Sequence, residues 1–134
     1  MYDIYYAHHR WKYGTEIEKY ELDLIRSHFP NARICNPAPY IELPNWLEHE
    51  TPEDEIEYTI MEECLQKVDS SDILIFSSVN GSTGIGVFTE VERAQEKNKL
   101  ILYVHQGELC ACFDLSKRHP SKRTDRIYAD VYLP

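Results

Sequence analysis

Residues 80–90 read Asn-Gly-Ser-Thr-Gly-Ile-Gly-Val-Phe-Thr-Glu, and they combine turn residues and a carboxylate at a spacing that could do chemistry. Gly81, Gly84 and Gly86 let the backbone come close to a ligand, and a helix starting there would aim free N–H groups and its positive dipole end at an anion. Glu90 follows one turn into that helix, on its Val87 side, within reach of the same cavity. A phosphate cradle beside a carboxylate points to nucleotide chemistry. A second constellation is His8, His9, Arg10, Trp11, Lys12 and Tyr13 before Gly14, a polar, cationic and aromatic mixture able to stack a base and hold a phosphate. Each has a structural alternative: a tight strand-to-helix turn, a solvent-facing Glu90 paired with Arg93 or Lys97, and a surface loop whose Trp11 and Tyr13 cover a sheet edge.

Elements that would position these residues are legible on either side. Ile73, Leu74, Ile75 and Phe76 form a continuous apolar block, the pattern of a strand buried on both faces of a parallel sheet. Asp3 to Ala7 reads as a first strand, Ala32 to Asn36 as a second, and Leu100 to Val104 and Arg126 to Leu133 as the last two. Thr15 to His28 is a helix opened by a Thr15/Glu18 capping box, with Ile17, Tyr20, Leu24 and Ile25 as its expected buried stripe. Thr51-Pro52 opens a second helix that runs to about Val68, its stripe being Ile56, Ile60, Cys64 and Val68. Glu57 and Glu63 lie at the edge of that stripe, where a carboxylate can point into a cavity. Between the second strand and this helix, Pro37, Pro39 and Pro44 enforce an extended loop whose Tyr40 and Trp46 favour a lid or a subunit contact.

Strands alternating with helices predict one α/β domain over residues 1–134: flavodoxin-like or Rossmann-like, with a five-stranded mainly parallel sheet in the order 2-1-3-4-5 and helices on both faces. In that order the chain reverses between the first and third strands. The loops leaving those two strands are the ones at His8 to Gly14 and Asn80 to Gly86, so topology brings both to one crevice.

Composition narrows the partners. The 134 residues suit a single core, and 43% apolar with 12% aromatic side chains are enough to fill it. With 14 basic against 23 acidic residues the formal charge is −9, which opposes a nucleic acid polymer while allowing one nucleotide. The N-terminal residues lack the pattern of a signal peptide, and no stretch reaches the roughly 20 apolar residues of a membrane span, so a cytoplasmic protein without membrane contact is expected. Cys35, Cys64, Cys110 and Cys112 include a C-x-C pair but no zinc spacing; reduced thiols are expected, with no metal or other cofactor, a site using His105 or His119 being the minor alternative.

The start IYYAHH, the strand DILIF and the run STGIGVFTEVERA together resemble the nucleoside 2-deoxyribosyltransferase family and its relatives, the 2'-deoxynucleoside 5'-monophosphate N-glycosidases. The likeness follows most of the chain in order, although its specific part is short. It implies a site made of a first-strand tyrosine, an acidic residue on the helix before the third strand, and a glutamate in a G-x-G…E-x-x-x-A segment. These fall on Tyr5, on Cys64 in place of the acid, and on Glu90, with Glu63 as the neighbouring carboxylate and Glu92 as a substitute for Glu90. The segment from Gly86 to Glu90 is two residues longer than the family pattern. The serine that binds a 5'-phosphate in the nucleotide-cleaving relatives matches Ser82.

The resemblance implies cleavage of an N-glycosidic bond in a nucleoside or its 5'-monophosphate, with Glu90 as nucleophile and Tyr5 holding its carboxylate. Ser82 with the Gly84 to Gly86 amides would anchor the 5' group, and His8 or Arg10 would assist the base or phosphate. Family members borrow residues from a neighbouring subunit, so a homo-oligomer is expected, the Tyr40 to Trp46 loop and the basic tail from Phe113 to Asp125 being the candidate contacts. The alternative is a non-catalytic nucleotide sensor on the same fold. A phosphoribohydrolase is disfavoured because its PGGxGTxxE motif is missing.

Overall fold

Asp3–Ala7 forms β1, whose Ile4, Tyr5, Tyr6 and Ala7 are all buried. The two-residue repeat of a strand sends Tyr5 and Ala7 to one face and Ile4 and Tyr6 to the other. The computed structural model describes residues 1–37, 53–120 and 127–133; Tyr40, Trp46, Thr51-Pro52, Lys122 and Arg123 lie outside them, as do the side chains of Arg10, residues 53–59, 116–120 and 127–129.

After a single 3-10 turn, Arg10–Lys12, the chain enters α1, Glu16–His28. Thr15 caps it by accepting from the Glu18 amide at 3.3 Å, and Glu18 reaches back to the Gly14 amide at 3.2 Å, so the capping box closes one residue further back than the sequence predicts. The chain continues through β2 (Arg33–Cys35), α2 (Glu53–Asp69), β3 (Ile73–Phe76), β4 (Ser82–Thr83) and α3 (Ile85–Glu96). It ends in β5 (Leu100–His105), β6 (Glu108–Cys110), β7 (Asp114–Pro120) and β8 (Ile127–Tyr132).

Among the described residues the main sheet has five strands, in the order β2-β1-β3-β5-β6. Its first four strands are parallel and run in the expected arrangement, with Tyr5 paired to Cys35 on one side and Leu74 on the other. The fifth place departs from the sequence expectation. It is taken by β6, antiparallel to β5, because Gln106 and Gly107 adopt φ of 46° and 77° and turn the chain straight back. A parallel fifth strand needs a crossover helix, and the described residues between β5 and β8 form strands. The segment expected as that strand, β8, instead joins β4 and β7 in a separate antiparallel sheet of order β4-β8-β7. Residues 114–120, read from sequence as part of a basic tail, are thus strand β7.

Helices cover both faces of the main sheet. Ile25 of α1 joins Ile4, Tyr6, Ile73, Ile75 and Val104 on one. Cys64 and Val68 of α2 and Val87, Val91 and Ala94 of α3 join Tyr5, Leu74 and Phe76 on the other. Each fully buried aliphatic or phenyl side chain here contributes about 1.5–3 kcal/mol of burial. One expected stripe is half right: Leu24 and Ile25 pack in the core, but Ile17 and Tyr20 are 58% and 59% exposed, while Glu21 of the same helix is 6% exposed. The helix is rotated because Glu21 has buried partners. Among the described residues no helix is long and apolar enough to cross a membrane.

Candidate functional site

Helix α3 starts at Gly84, which caps it in an extended conformation (φ −70°, ψ 167°) and offers no side-chain bond to the first-turn amides. Those amides have no intrahelical partner, and no acidic side chain lies in the first turn. The ring of His9 stands over this end, since a Cβ on Gly84 would lie 3.5 Å from His9 Cδ2. The loops leaving β1 and β3 therefore meet at the α3 N-terminus, through His9. Trp11 packs on His9, ring centres 4.5 Å apart.

Val87, Glu90, Val91 and Ala94 share the buried stripe of α3, the spacing that puts residues on one helix face. Glu90 is accordingly 7% exposed and is not the solvent-facing partner of Arg93. That arginine is engaged with Asp69, at 2.7 and 2.8 Å. Burial pushes the Glu90 carboxyl up to about 7, and the Tyr5 hydroxyl, which favours the charged form, opposes this rise. Burial likewise drives the Tyr5 hydroxyl far above its ordinary value, with Glu90 and Cys64 adding to the effect. The three groups form one electrostatic cluster in which the Tyr5 hydroxyl lies close enough to act on Glu90 and Cys64, yet neither Tyr5 Oη nor Glu90 Oε2 makes a hydrogen bond of ordinary geometry among the described residues. A buried polar atom left without such a bond costs about 1–3 kcal/mol.

Around this pair stand two thiols and a phenol. Cys64 lies on α2 against Tyr5, and burial raises its thiol, the Tyr5 hydroxyl acting in the opposite sense. Cys35 is opposite Tyr5 in the register of β1 and β2, on the same face. Tyr13, half-buried with its ring 4.3 Å from that of His8, is pushed up first by burial and then by Glu90. Neither His9 nor Tyr13 stood out from the aromatic and cationic loop by sequence. The signal was the loop itself, whose individual orientations depend on the turn at Arg10–Lys12.

Other expected site residues are placed differently. Both ring nitrogens of His8 face oxygen atoms: Nδ1 the His9 carbonyl at 3.0 Å, Nε2 Asn36 Oδ1 at 3.0 Å and Glu18 Oε2 at 3.1 Å. That ring is buried and fixed in place. Arg10 opens the 3-10 turn, and its side chain is outside the described residues. Asn80 and Gly81, with φ of 50° and 80°, form a tight reversal closed by paired Val79 and Ser82 backbone bonds of 2.9 and 3.0 Å. Ser82 leaves it in β4, its hydroxyl donating to Asp130 at 2.8 Å. The structure thus joins Gly84 and Gly86 to the Glu90 helix while turning Ser82 towards β8. Glu63 is exposed on α2, one residue round from buried Cys64, so it is not brought to Tyr5. Glu92 is half-buried.

A different polar cluster occupies the opposite face. Lys12 Nζ donates to Glu21 at 3.1 Å, to Ser77 Oγ at 2.8 Å and to the Ser78 carbonyl at 2.9 Å. Ser77 donates to Glu21 at 2.7 Å, and so does the Tyr6 hydroxyl. Lys12, part of the loop expected to hold a phosphate, is committed to this network. It borders a cavity of about 610 Å³ over the carboxyl ends of β3 and β5, which none of Tyr5, Cys64, Gly84, Gly86 or Glu90 lines. The four cysteines carry free thiols, and among the described residues no three His, Cys, Asp or Glu side chains are grouped to hold a metal.

No protein-family model matches the chain, and no curated protein matches it.

Proposed function

We propose that the protein cleaves or exchanges the N-glycosidic bond of a nucleoside or nucleoside 5'-monophosphate, with Glu90 as the nucleophile. The observation that carries this reading is the open pair of Tyr5 Oη and Glu90 Oε2 in the interior, Glu90 standing about 1.7 helical turns from Gly84. In its ionised form Glu90 would attack C1' of the sugar as the C1'–N bond breaks and the base leaves with its electron pair, taking up a proton. Water, or a second base, then releases the sugar from Glu90. Tyr5 would hold the carboxylate oriented and favour its charged form. The first-turn amides of α3, with His9 beside Gly84, supply the anion cradle for a 5'-phosphate. This role falls to them rather than to Ser82, whose hydroxyl is turned to Asp130.

The resemblance to the deoxyribosyltransferases and the arrangement of the four parallel strands support the reading, and we take the main sheet as a flavodoxin-like or Rossmann-like variant with a hairpin at its far edge. On the same reading the protein works in the cytoplasm as a homo-oligomer, a neighbouring copy completing the crevice. Incubation with deoxynucleosides and their 5'-monophosphates, singly and with a second base, tests it: free or exchanged base is expected, and its loss by well over ~10²-fold in Glu90→Ala. A second reading, a nucleotide sensor, is favoured by Cys64. A buried thiol stands where the resemblance calls for an acid, and it is a poorer hydrogen-bonding partner for a sugar or base. Nucleotide binding with neither base release nor exchange would decide for the sensor.

A further inference from the structure

The cavity over β3 and β5 has an unusual wall and an unusual floor. Trp11 and Tyr20 are 72% and 59% exposed at its rim, and Tyr103, His105 and Tyr132 complete an aromatic surround. His105 and Tyr103 stack with ring centres 5.9 Å apart. At about 610 Å³ the space is that of a small-molecule pocket. It opens at the carboxyl ends of strands, where α/β sheets take their ligands.

The floor is the Lys12–Glu21 pair. Burying such a pair does not in general favour stability over apolar side chains of the same volume, and α1 has Ile17 and Tyr20 to bury instead. The helix is nevertheless rotated so that the aromatic and aliphatic groups border the cavity and the carboxylate lies beneath it. Lys12 has four acceptor atoms around its three hydrogens, so it presents no spare positive charge to an anion. Glu21 is less fully occupied. Its Oε1 accepts from Tyr6, Ser77 and Lys12, whereas Oε2 accepts from Lys12 alone among the described residues. The pocket thus combines flat aromatic walls, a charge-compensated floor and one acceptor with room for another donor.

We propose that this cavity is a second small-molecule site, taking a planar, uncharged heteroaromatic ring with an N–H donor, stacked by Trp11 and Tyr20 and directed to Glu21 Oε2. It does not rest on the Glu90 reading, since none of Tyr5, Cys64, Gly84, Gly86 and Glu90 lines the cavity, with Trp11 touching both places through His9. Titration of the intact protein with 9-methyladenine and 9-methylpurine, which differ only in the amino group, tests it by calorimetry. The amine should bind saturably and at least about tenfold more tightly, the difference expected for one hydrogen bond to a charged acceptor. Trp11→Ala and Tyr20→Ala, both changes of exposed side chains, should each weaken it by roughly tenfold, while Glu90→Gln leaves it unchanged. Absence of saturable binding, equal affinity for the two purines, or loss in Glu90→Gln with retention in Trp11→Ala would overturn the proposal. Failure of this proposal leaves the Glu90 reading standing, because base release from deoxynucleosides is measured separately.

Discussion

Tyr5 and Glu90 meet in the interior between β1 and α3, coupled electrostatically, while Tyr5 Oη and Glu90 Oε2 both lack a hydrogen bond of ordinary geometry among the described residues. Each such buried atom costs about 1–3 kcal/mol. The open helix end at Gly84 lies on the same element as Glu90.

Stability should depend on pH through Glu90. Its carboxyl is lifted from 4.5 to about 7, so in the folded chain it keeps its proton where the unfolded chain has lost it. The folded state therefore binds more protons between those values, and stability is highest below the lower one. It falls as pH rises through the window, by roughly 3 kcal/mol, and is level above it. Glu90→Gln should remove this component. Denaturant titrations of both proteins from about pH 4 to about pH 8 measure the difference in slope.

Tyr5→Phe separates orientation from packing. The ring stays and only a hydroxyl without a hydrogen bond of ordinary geometry goes, so stability should change by less than about 1 kcal/mol. The hydroxyl favours ionised Glu90, and its removal should move the carboxyl's titration, and with it the acid limb of kcat/KM, to higher pH. A limb that stays in place would dissociate Tyr5 from Glu90.

Gly84→Ala distinguishes a cradle from a turn. At φ −70° alanine is unstrained, and its Cβ would meet His9 at 3.5 Å, an ordinary contact. Thermal melting should therefore shift little. The added methyl occupies the space at the helix end, so KM for a 5'-monophosphate should rise by roughly tenfold relative to the nucleoside.

The Lys12–Glu21 pair makes a different prediction. Lys12→Met leaves the buried Glu21 without its counter-charge and should cost about 3–5 kcal/mol. Combining it with Glu21→Leu should recover most of that loss, because no lone charge remains. Equilibrium unfolding of the two single variants and the double variant measures the coupling.

Much of this arrangement could be read from residue pattern. The apolar block Ile73–Phe76 and the spacing of Val87, Glu90, Val91 and Ala94 contain enough to put a carboxylate on the inner face of α3. The strand order failed at its far edge, where Gln106 and Gly107 reverse the chain; periodicity registers a strand but not which sheet it enters. Glu21 defeated the pattern for a physical reason. A charged residue inside a helix stripe reads as exposed, and only partners distant in sequence, Lys12, Ser77 and Tyr6, make its burial tolerable. The choice between His8 and His9 was beyond sequence for a similar reason, since it depends on which ring Asn36 and Glu18 capture.

The most direct test is to trap the sugar on the protein. A 2'-fluoro-2'-deoxyarabinonucleoside slows release of a glycosyl intermediate by destabilising its oxocarbenium-like transition state, and mass spectrometry of the digested protein then locates the sugar. Attack by Glu90 predicts base release with one fluorosugar attached to the peptide that contains Glu90, and no attachment in Glu90→Gln. Attachment at another residue, or base release that persists in Glu90→Gln, would contradict it.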